Sequence, residues 1–517
     1  MRFLLPRLCN TAALLAWALS ACVLPVAAHA DDAAPRCLYV DIADVPIHYL
    51  GAGMMPAVEG DINGKPATML ADTGASESSV TMNGAVRLDL GLFMTGRYVQ
   101  GVAGDARLYA TRVKEIGIGP AKSTRSVELP VIGQDDFEFD AIAGAPFLLQ
   151  ADLEIDLRAK QMRFFRSRDC GDRPLLLWQE QTTMVPFQYH RDRSPNPHFT
   201  VKVNGRELDA FIDTGAHHTI MTLSAARRLG IDVDGPGVKR LGTMHGIGSE
   251  RAAHWAARLD TFEIGDETVK NAEIGIVDMQ SDVNADVLLG QDFLRAHRVL
   301  FAMSQKKLYF AYLGGDAFTR STGMPAWVRA EAEGGSPDGQ YALALAYANG
   351  DGVERDPVQA RAWLEKSAAG RQPHAQLWLG RQQLQAGQAA AAIPLLRAAL
   401  DQLPAERVGP LWLYLARVRN GEAALAQTEL RASLDQRRES AWPDPVAEFY
   451  LGKLDAAHLL EQAAKDKTSA HARSCMADEY MAEWHAAQGQ REQADALRAT
   501  LRAQCAPAPA AKPAAAP

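Results

Sequence analysis

Up to about residue 315 the apolar positions come in short runs that alternate with polar ones, the period of half-buried strands. In "HFTVKVNGRELDAFIDTG", residues 198 to 215, two runs rich in Val, Phe and Ile flank Asn204-Gly205. That dipeptide tolerates positive φ at both central turn positions, so the stretch predicts a tight hairpin. The stretch "MMPAVEGDINGKPATMLADTG" does the same around Asn63-Gly64. Further Gly-containing turns at "QGVAGD", "IGIGP", "GTMHGIGSE" and "EIGDE" predict compact, mostly β units with few helices. The clearest short helix is "TLSAARRLGI", residues 222 to 231. After Gly315 the composition turns to Ala, Leu, Gln and Arg with helical periodicity. Gln340 and Gln376 stand 36 apart, and Leu379, Leu415 and Leu451 repeat that interval. Stacked helix pairs of that period predict a solenoid of about four units with a concave groove.

The β region is written twice. "NGKPATMLADTGA" (63–75) lies over "NGRELDAFIDTGA" (204–216), with Asp213 following Asp72 by 141 positions. Downstream, "DAIAGAPFLLQADLEIDLRAKQMRFF" from Asp140 lies over "ADVLLGQDFLRAHRVLFAMSQKKLYF" from Ala285, with Gly144 over Gly290 and Phe147 over Phe293. Two copies of one lobe follow, each with an acidic residue that ends an apolar strand and opens an Asp-Thr-Gly-Ala turn.

Each copy resembles a retropepsin-type lobe of the aspartic protease clan: apolar strand, Asp-Thr-Gly-Ala turn, flap hairpin, then two apolar residues and Gly close to Phe-Leu. Residues 210–216 and 287–290 fit that pattern fully. The first copy departs from it with Ala71 and Ala143, smaller side chains that predict looser support behind its turn. The resemblance covers roughly Cys37 to Gly315, and it implies a fold of two tandem all-β lobes followed by an all-α repeat domain. It also implies that Asp72 and Asp213 form a catalytic pair. Two carboxyls about 3 Å apart cannot both ionise and so share one proton, which lets one act as base and the other as acid. Gly74 and Gly215 would permit the tight turns, by their φ or by leaving out a Cβ. Thr73 and Thr214 would donate hydroxyl hydrogen bonds to the opposite turn. Ala75 and Ala216 stand where pepsin-like enzymes usually carry a hydroxyl donor; without it the working pH should sit higher, mildly acidic to neutral. Flap candidates are "YVQGVAGDA", with Gly101 and Gly104, and "LGTMHGIGSE", with Gly246 and Gly248.

No cofactor or metal is expected, because no C-x-x-C or clustered Cys/His spacing occurs. His217 and His218 read as local strand residues rather than ligands, and "DDFEFD" (135–140) as a solvated loop rather than a cation site. "DGQYALALAYANGDGVERDPVQARAWLEKSAAG" (338–370) resembles a SEL-type repeat, a relative of the tetratricopeptide repeat, and later units are eroded. Such surfaces bind proteins or peptides; the competing reading is that the helices brace the lobes.

The N-terminal stretch has Arg2 and Arg7, an apolar run from Thr11 to Val23 and Ala28-His29-Ala30, which together read as a signal peptide over 1–30. A lipid anchor at Cys22, in Leu19-Ser20-Ala21-Cys22, is the second reading. Later runs fall short of the roughly 20 apolar residues of a membrane span. An exported, periplasmic or secreted, protein is therefore expected. A composition of 47% hydrophobic and 22% charged residues supplies enough apolar surface for packed cores, and the net charge of -8 without a long basic run argues against nucleic acid as partner. After export four cysteines remain, with three pairings open; Cys37 with Cys170 and Cys475 with Cys505 are favoured, stapling the first lobe and clipping two helices. The expected domains are lobe 1 at 37–172, lobe 2 at 183–315, helical repeats at 325–505 and a Pro/Ala-rich disordered tail at 506–517. The function expected is an aspartic endopeptidase acting on peptide or protein substrates, with repeats that recruit substrate or a protein partner. The alternatives are an inactive protease-like peptide-binding module and a repeat-based envelope scaffold.

Overall fold

The computed structural model describes residues 37–505 apart from 102–103, 120, 124, 134–136, 176–177, 191–193, 245–251, 280–284, 316, 319–323, 438–439 and 467–468. The expected signal segment with Cys22 and the tail from 506 lie outside the described residues. Both Asn-Gly dipeptides turn as predicted, with φ of 53° and 74° at Asn63 and Gly64 and of 48° and 77° at Asn204 and Gly205. The first joins strands Met55–Ile62 and Lys65–Asp72, the second Ser194–Val203 and Arg206–Ile212. In each lobe a short downstream strand then runs parallel to the hairpin's second strand: Ala141–Gly144 beside Lys65–Asp72, and Val287–Leu289 beside Arg206–Ile212. A third strand, Ser79–Thr81 or Ile220–Thr222, pairs antiparallel with that short strand. The chain leaving each aspartate is thereby trapped between its own lobe's inner strands.

The downstream glycines make this crossing close. Ala145 N–H donates to Ala75 O at 2.9 Å and Gln291 N–H to Ala216 O at 2.8 Å, the same bond in both copies. Gly144 and Gly290 N–H each donate at 3.1 Å to a hydroxyl, of Ser78 and Thr219 respectively. A Cβ on Gly144 would stand 2.5 Å from Glu77 O, and one on Gly290 2.6 Å from the carbonyl carbon of His218. The short helix from Thr222 is present as Leu223–Arg228, with the Thr222 hydroxyl accepting from Ala225 N–H.

The strands at the ends of each lobe leave their own sheet and build a shared one. Its order is Leu38–Pro46, Gln161–Arg168, Asp152–Asp156, His297–Ala302, Lys307–Tyr312, Thr182–Pro186, three strands from each lobe. The central pair is antiparallel, with Leu153 opposite Phe301 and Ile155 opposite Val299, and all four side chains are fully buried. The Cys37–Cys170 disulfide closes the outer edge of this sheet, where Leu38 lies opposite Arg168. Nothing in the local pattern announces the joining of the two lobes, since the partners in the central pair stand 144 to 148 positions apart.

Among the described residues eleven helices follow, from Ala326–Glu333 to Arg491–Gln504: one single helix and then five consecutive pairs, one more pair than expected. The 36-residue period has a physical counterpart. Gln340 and Gln376 amides donate to Ala332 O and Ala368 O, each eight residues back and each at 3.3 Å. Cys475 and Cys505 are bonded and clip the last two helices. The helices pack against the lobes: Arg295 of lobe 2 is stacked between Tyr49 of lobe 1 and Trp327 of the first repeat-domain helix, with its guanidinium carbon 4.5 and 3.1 Å from the two ring centres. Lys160 pairs with Glu331 at 2.5 Å, and Ala405 N–H donates to Asn83 Oδ1 at 2.8 Å. Of the stretch 135–140 read as a solvated loop, residues 137–140 are described, and they are not solvated. Asp140 is 5% exposed and paired with Arg87, and Glu138 faces Gln372 and His374 of the repeat domain. Glu138 is covered by the repeat domain, and Asp140 is enclosed within its own lobe by Arg87 and the N–H of Thr68.

Phe293 is buried in lobe 2 with its ring stacked on His297 (centroids 4.1 Å apart) and beside Phe310 and Phe318. Its copy Phe147 is only half-buried. Phe293→Ala is expected to cost about 3–5 kcal/mol of stability in denaturant unfolding. Phe147→Ala is expected to cost clearly less; equal losses would contradict this account of the packing.

Candidate active site

Asp72 and Asp213 lie at the ends of the two inner strands and are brought together within one chain. A Cβ built on Gly74 would stand 2.3 Å from the carboxyl carbon of Asp213, and one on Gly215 would stand 2.6 Å from that of Asp72. Each carboxyl therefore rests on the glycine of the opposite turn, and the two carboxyls hydrogen-bond to each other. The glycines are needed for this approach rather than for an unusual φ, since neither has a positive one.

The threonines lock the turns. Thr73 hydroxyl donates to Ile212 O at 2.7 Å, and Thr214 hydroxyl to Ala71 O at 2.6 Å. Each hydroxyl also accepts from the other's backbone, Thr73 N–H at 2.9 Å and Thr214 N–H at 3.2 Å. Both threonines are buried, so four hydrogen bonds are satisfied away from water and none has a solvent substitute. Looser support behind the first turn is not seen: Ala71 and Ala143 are fully buried opposite each other in register, and Ala71 O takes part in the lock.

Within its own turn, Asp72 Oδ1 accepts from the N–H of Gly74 at 2.8 Å and of Ala75 at 3.0 Å, while Asp213 Oδ1 accepts from Gly215 N–H at 2.8 Å. Burial pushes both carboxyls above the usual carboxylate range. For Asp213 the negative charge of Asp72 and the hydrogen bond between the two add to burial and carry it well above that range. For Asp72 the same hydrogen bond and the N–H groups of Gly74 and Ala75 pull back. The pair holds one proton jointly, and the push above the usual carboxylate range is the stronger at Asp213. Both residues retain partial contact with solvent, so water can reach them.

Two further side chains complete the surroundings and were missed in the sequence. Asn196 Nδ2 donates to Thr73 O at 2.6 Å, and Gln291 Nε2 to Thr214 O at 3.4 Å. Gln291 falls in the matched segment over Ala145, so the difference between copies was legible; Asn196 lies ahead of any repeated pattern. His217 and His218 are not strand residues. They form a bend before the strand Ile220–Thr222, where the His217 ring meets Gly53 O of lobe 1 and His218 Nδ1 lies 3.9 Å from Asp292. Burial holds His217 below the usual histidine value. Of the flap candidates, Gly101 and Gly104 lie opposite each other at the tip of a hairpin built by Leu92–Gly101 and Gly104–Val113. Gly246 and Gly248 lie outside the described residues, although the strands leading to them, Val238–Met244 and Ala252–Ile264, pair as a second hairpin.

Comparison with known families agrees with this architecture. Residues 58–150 match the gag-polyprotein aspartyl protease family, residues 199–293 match the aspartyl protease family, and residues 337–370 match the Sel1 repeat. No curated protein matches the chain. The chain thus carries two aspartyl protease domains in tandem and a Sel1 repeat behind them.

The raised pKa of Asp213 has a stability consequence. A carboxyl whose pKa is raised by folding favours the fold fully below its unfolded value of about 3.9, and that contribution is lost as pH rises through the folded value. Asp213→Asn is neutral throughout and escapes the loss. Its Tm is expected to exceed that of the wild type at about pH 7–8 and to converge with it below about pH 4. A Tm difference that does not change with pH would contradict the shared-proton geometry.

Proposed function

We propose that the chain is an exported, single-chain aspartic endopeptidase in which Asp72 and Asp213 activate one water between them. The observation that carries this reading is the contact of the two carboxyls across the Thr73–Thr214 lock. Asp72, the more readily ionised member, takes a proton from the water, and the hydroxide adds to the scissile carbonyl carbon. Asp213 gives its proton to the carbonyl oxygen. When the resulting diol collapses, Asp72 passes its proton to the leaving nitrogen and the C–N bond breaks. A hydroxyl proton of the diol returns to Asp213, so the pair ends with the single proton it began with. Chemistry of this kind needs no metal and no covalent intermediate.

Both lobes supply the site, which is why the chain carries the turn twice. The hairpin ending at Gly101 and Gly104 stands in the order of a flap, and its glycines suit movement over a bound peptide. Two formed disulfides support export to an oxidising compartment, and among the described residues no helix is long and apolar enough to cross a membrane.

Cleavage of a peptide library by the full chain tests the reading. Asp72→Asn and Asp213→Asn are each expected to lower kcat by about 10²-fold or more. Full activity in either variant, or peptide binding without cleavage by the wild type, would end it. With neither carboxyl held by a side-chain hydroxyl among the described residues and both raised by burial, kcat/KM against pH is expected to be bell-shaped with a mildly acidic to neutral maximum. A maximum in strong acid would contradict the assignment.

A further inference from the structure

Residues Gly51 to Met54 form the loop of a hairpin between strands His48–Leu50 and Met55–Ile62, with Leu50 opposite Met55. Both ends of the loop are left-handed, with φ of 64° at Gly51 and 50° at Met54, and Met54 N–H donates to Gly51 O at 3.0 Å. A non-Gly residue in that region costs on the order of 1 kcal/mol or more, so the loop persists only where its surroundings over-determine it. Those surroundings are two different domains.

On one side stands the turn that carries Asp213. The His217 ring nitrogen meets Gly53 O so closely that a Cβ on Gly53 would lie 2.4 Å from it. The next contact is Met55, whose sulfur is 3.8 Å from Gln291 Nε2, the same amide that donates to Thr214 O. The loop and its first strand residue thus touch groups that bracket the Asp213 turn, one bonded to Thr214 and the other four residues beyond the aspartate.

On the other side stands the Sel1 repeat. Asp338, in the first turn of helix Pro337–Asn349, accepts from Gly51 N–H through Oδ1 at 2.8 Å. The Ser336 hydroxyl already caps that helix by accepting from Gly339 N–H, which leaves the Asp338 carboxylate to the loop. Gln372, which caps helix Pro373–Gln385, donates to Glu138 at 2.7 Å and lies 3.4 Å from Asp338 Oδ1; His374 lies 3.2 Å from Glu138. The Glu138 carboxyl packs 3.2 Å from the site of a Cβ on Gly51. The loop is gripped between repeat and lobe.

We infer that Asp338 is a positioning residue for the active site: it fixes the Gly51–Met54 loop, and that loop holds the Asp213 turn through His217 and Gln291. The inference rests on the proposed function of Asp72 and Asp213. It makes the repeat domain a working part of the enzyme. Catalytic groups must be held within about 0.5 Å of their productive places, and a displacement of about 1 Å can cost about 10²-fold in rate. Releasing Gly51 N–H would remove the hydrogen bond by which the repeat domain holds this loop.

The test uses the full chain with Asp338→Ala, Asp338→Asn, His217→Ala and the double variant Asp338→Ala/His217→Ala. Asp338→Ala is expected to lose about tenfold in kcat per inhibitor-titrated site with KM changed by less than about twofold. Asp338→Asn keeps an oxygen that accepts from Gly51 N–H and should retain most of the activity. The double variant should be no worse than the poorer single one, since both changes cut one connection. Amide hydrogen exchange supplies a readout free of activity: in Asp338→Ala, residues 51–55 and 213–218 should exchange faster while the strands of the shared sheet stay protected. Unchanged kcat with unchanged exchange at 213–218 would overturn the inference. So would a uniform rise in exchange across both lobes, which marks simple destabilisation. A wild-type chain that cleaves no peptide would end the proposed function, and the exchange result would still decide whether Asp338 holds the turn.

Discussion

Two carboxyls in contact repel each other once both are charged, and the whole fold is arranged to keep them there. Left to themselves, Asp72 and Asp213 would separate, because each would gain hydration and lose its neighbour's charge. They are opposed by a buried lock in which every donor and acceptor of Thr73 and Thr214 is used. Loosening that lock would leave polar groups unpaired away from water, each at a cost of about 1–3 kcal/mol. Beneath it, the six-stranded sheet makes separation of the lobes still more costly, since its central pair buries Leu153, Ile155, Val299 and Phe301 at once.

The two copies hold the same turn by different means. Backbone bonds across the crossing are identical, Ala145 to Ala75 and Gln291 to Ala216. Side chains are not. Lobe 2 supplies both amides that reach the threonine carbonyls, from Asn196 and Gln291, whereas Ala145 stands over Gln291 in lobe 1. Lobe 2 also spends Asp292 on Thr219, accepting from its N–H at 2.9 Å and its hydroxyl at 2.6 Å, where lobe 1 has Pro146. A symmetric dimer of one lobe could not divide these duties. In one chain the two carboxyls meet unequal surroundings, and the push above the usual carboxylate range is stronger at Asp213 than at Asp72.

The repeat domain extends the same logic outward. Arg295 lies between Tyr49 and Trp327, joining lobe 2, lobe 1 and the first of the helices at one point. Glu138 lies near Asp338 in the interface, where burial and the Asp338 charge push its carboxyl up to about 8, while burial holds the facing His374 down at about 4. Neutral groups on both sides of that contact avoid the cost of burying unpaired charge. Helices docked through such an interface are built into the molecule and restrain it.

Much was legible along the chain. The Asn-Gly hairpins, the doubled Asp-Thr-Gly-Ala turn, the glycines at 144 and 290 and the 36-residue helical period follow from turn chemistry, internal repetition and spacing, which are properties of neighbouring residues; the two cysteine pairings were favoured among three by the domains expected around them. The positions of Asp72 and Asp213 at strand ends were legible for the same reason. The shared sheet, the amides of Asn196 and Gln291, the burial of Glu138 and Asp140, and the grip of Asp338 on Gly51 were decided only in three dimensions. Each joins groups far apart in the chain, 287 positions in the last case, so no local period records it. Even the glycines of the two turns carry this lesson: their small size was plain, but the reason for it, a carboxyl from the opposite lobe resting where a Cβ would be, exists only once the lobes have met.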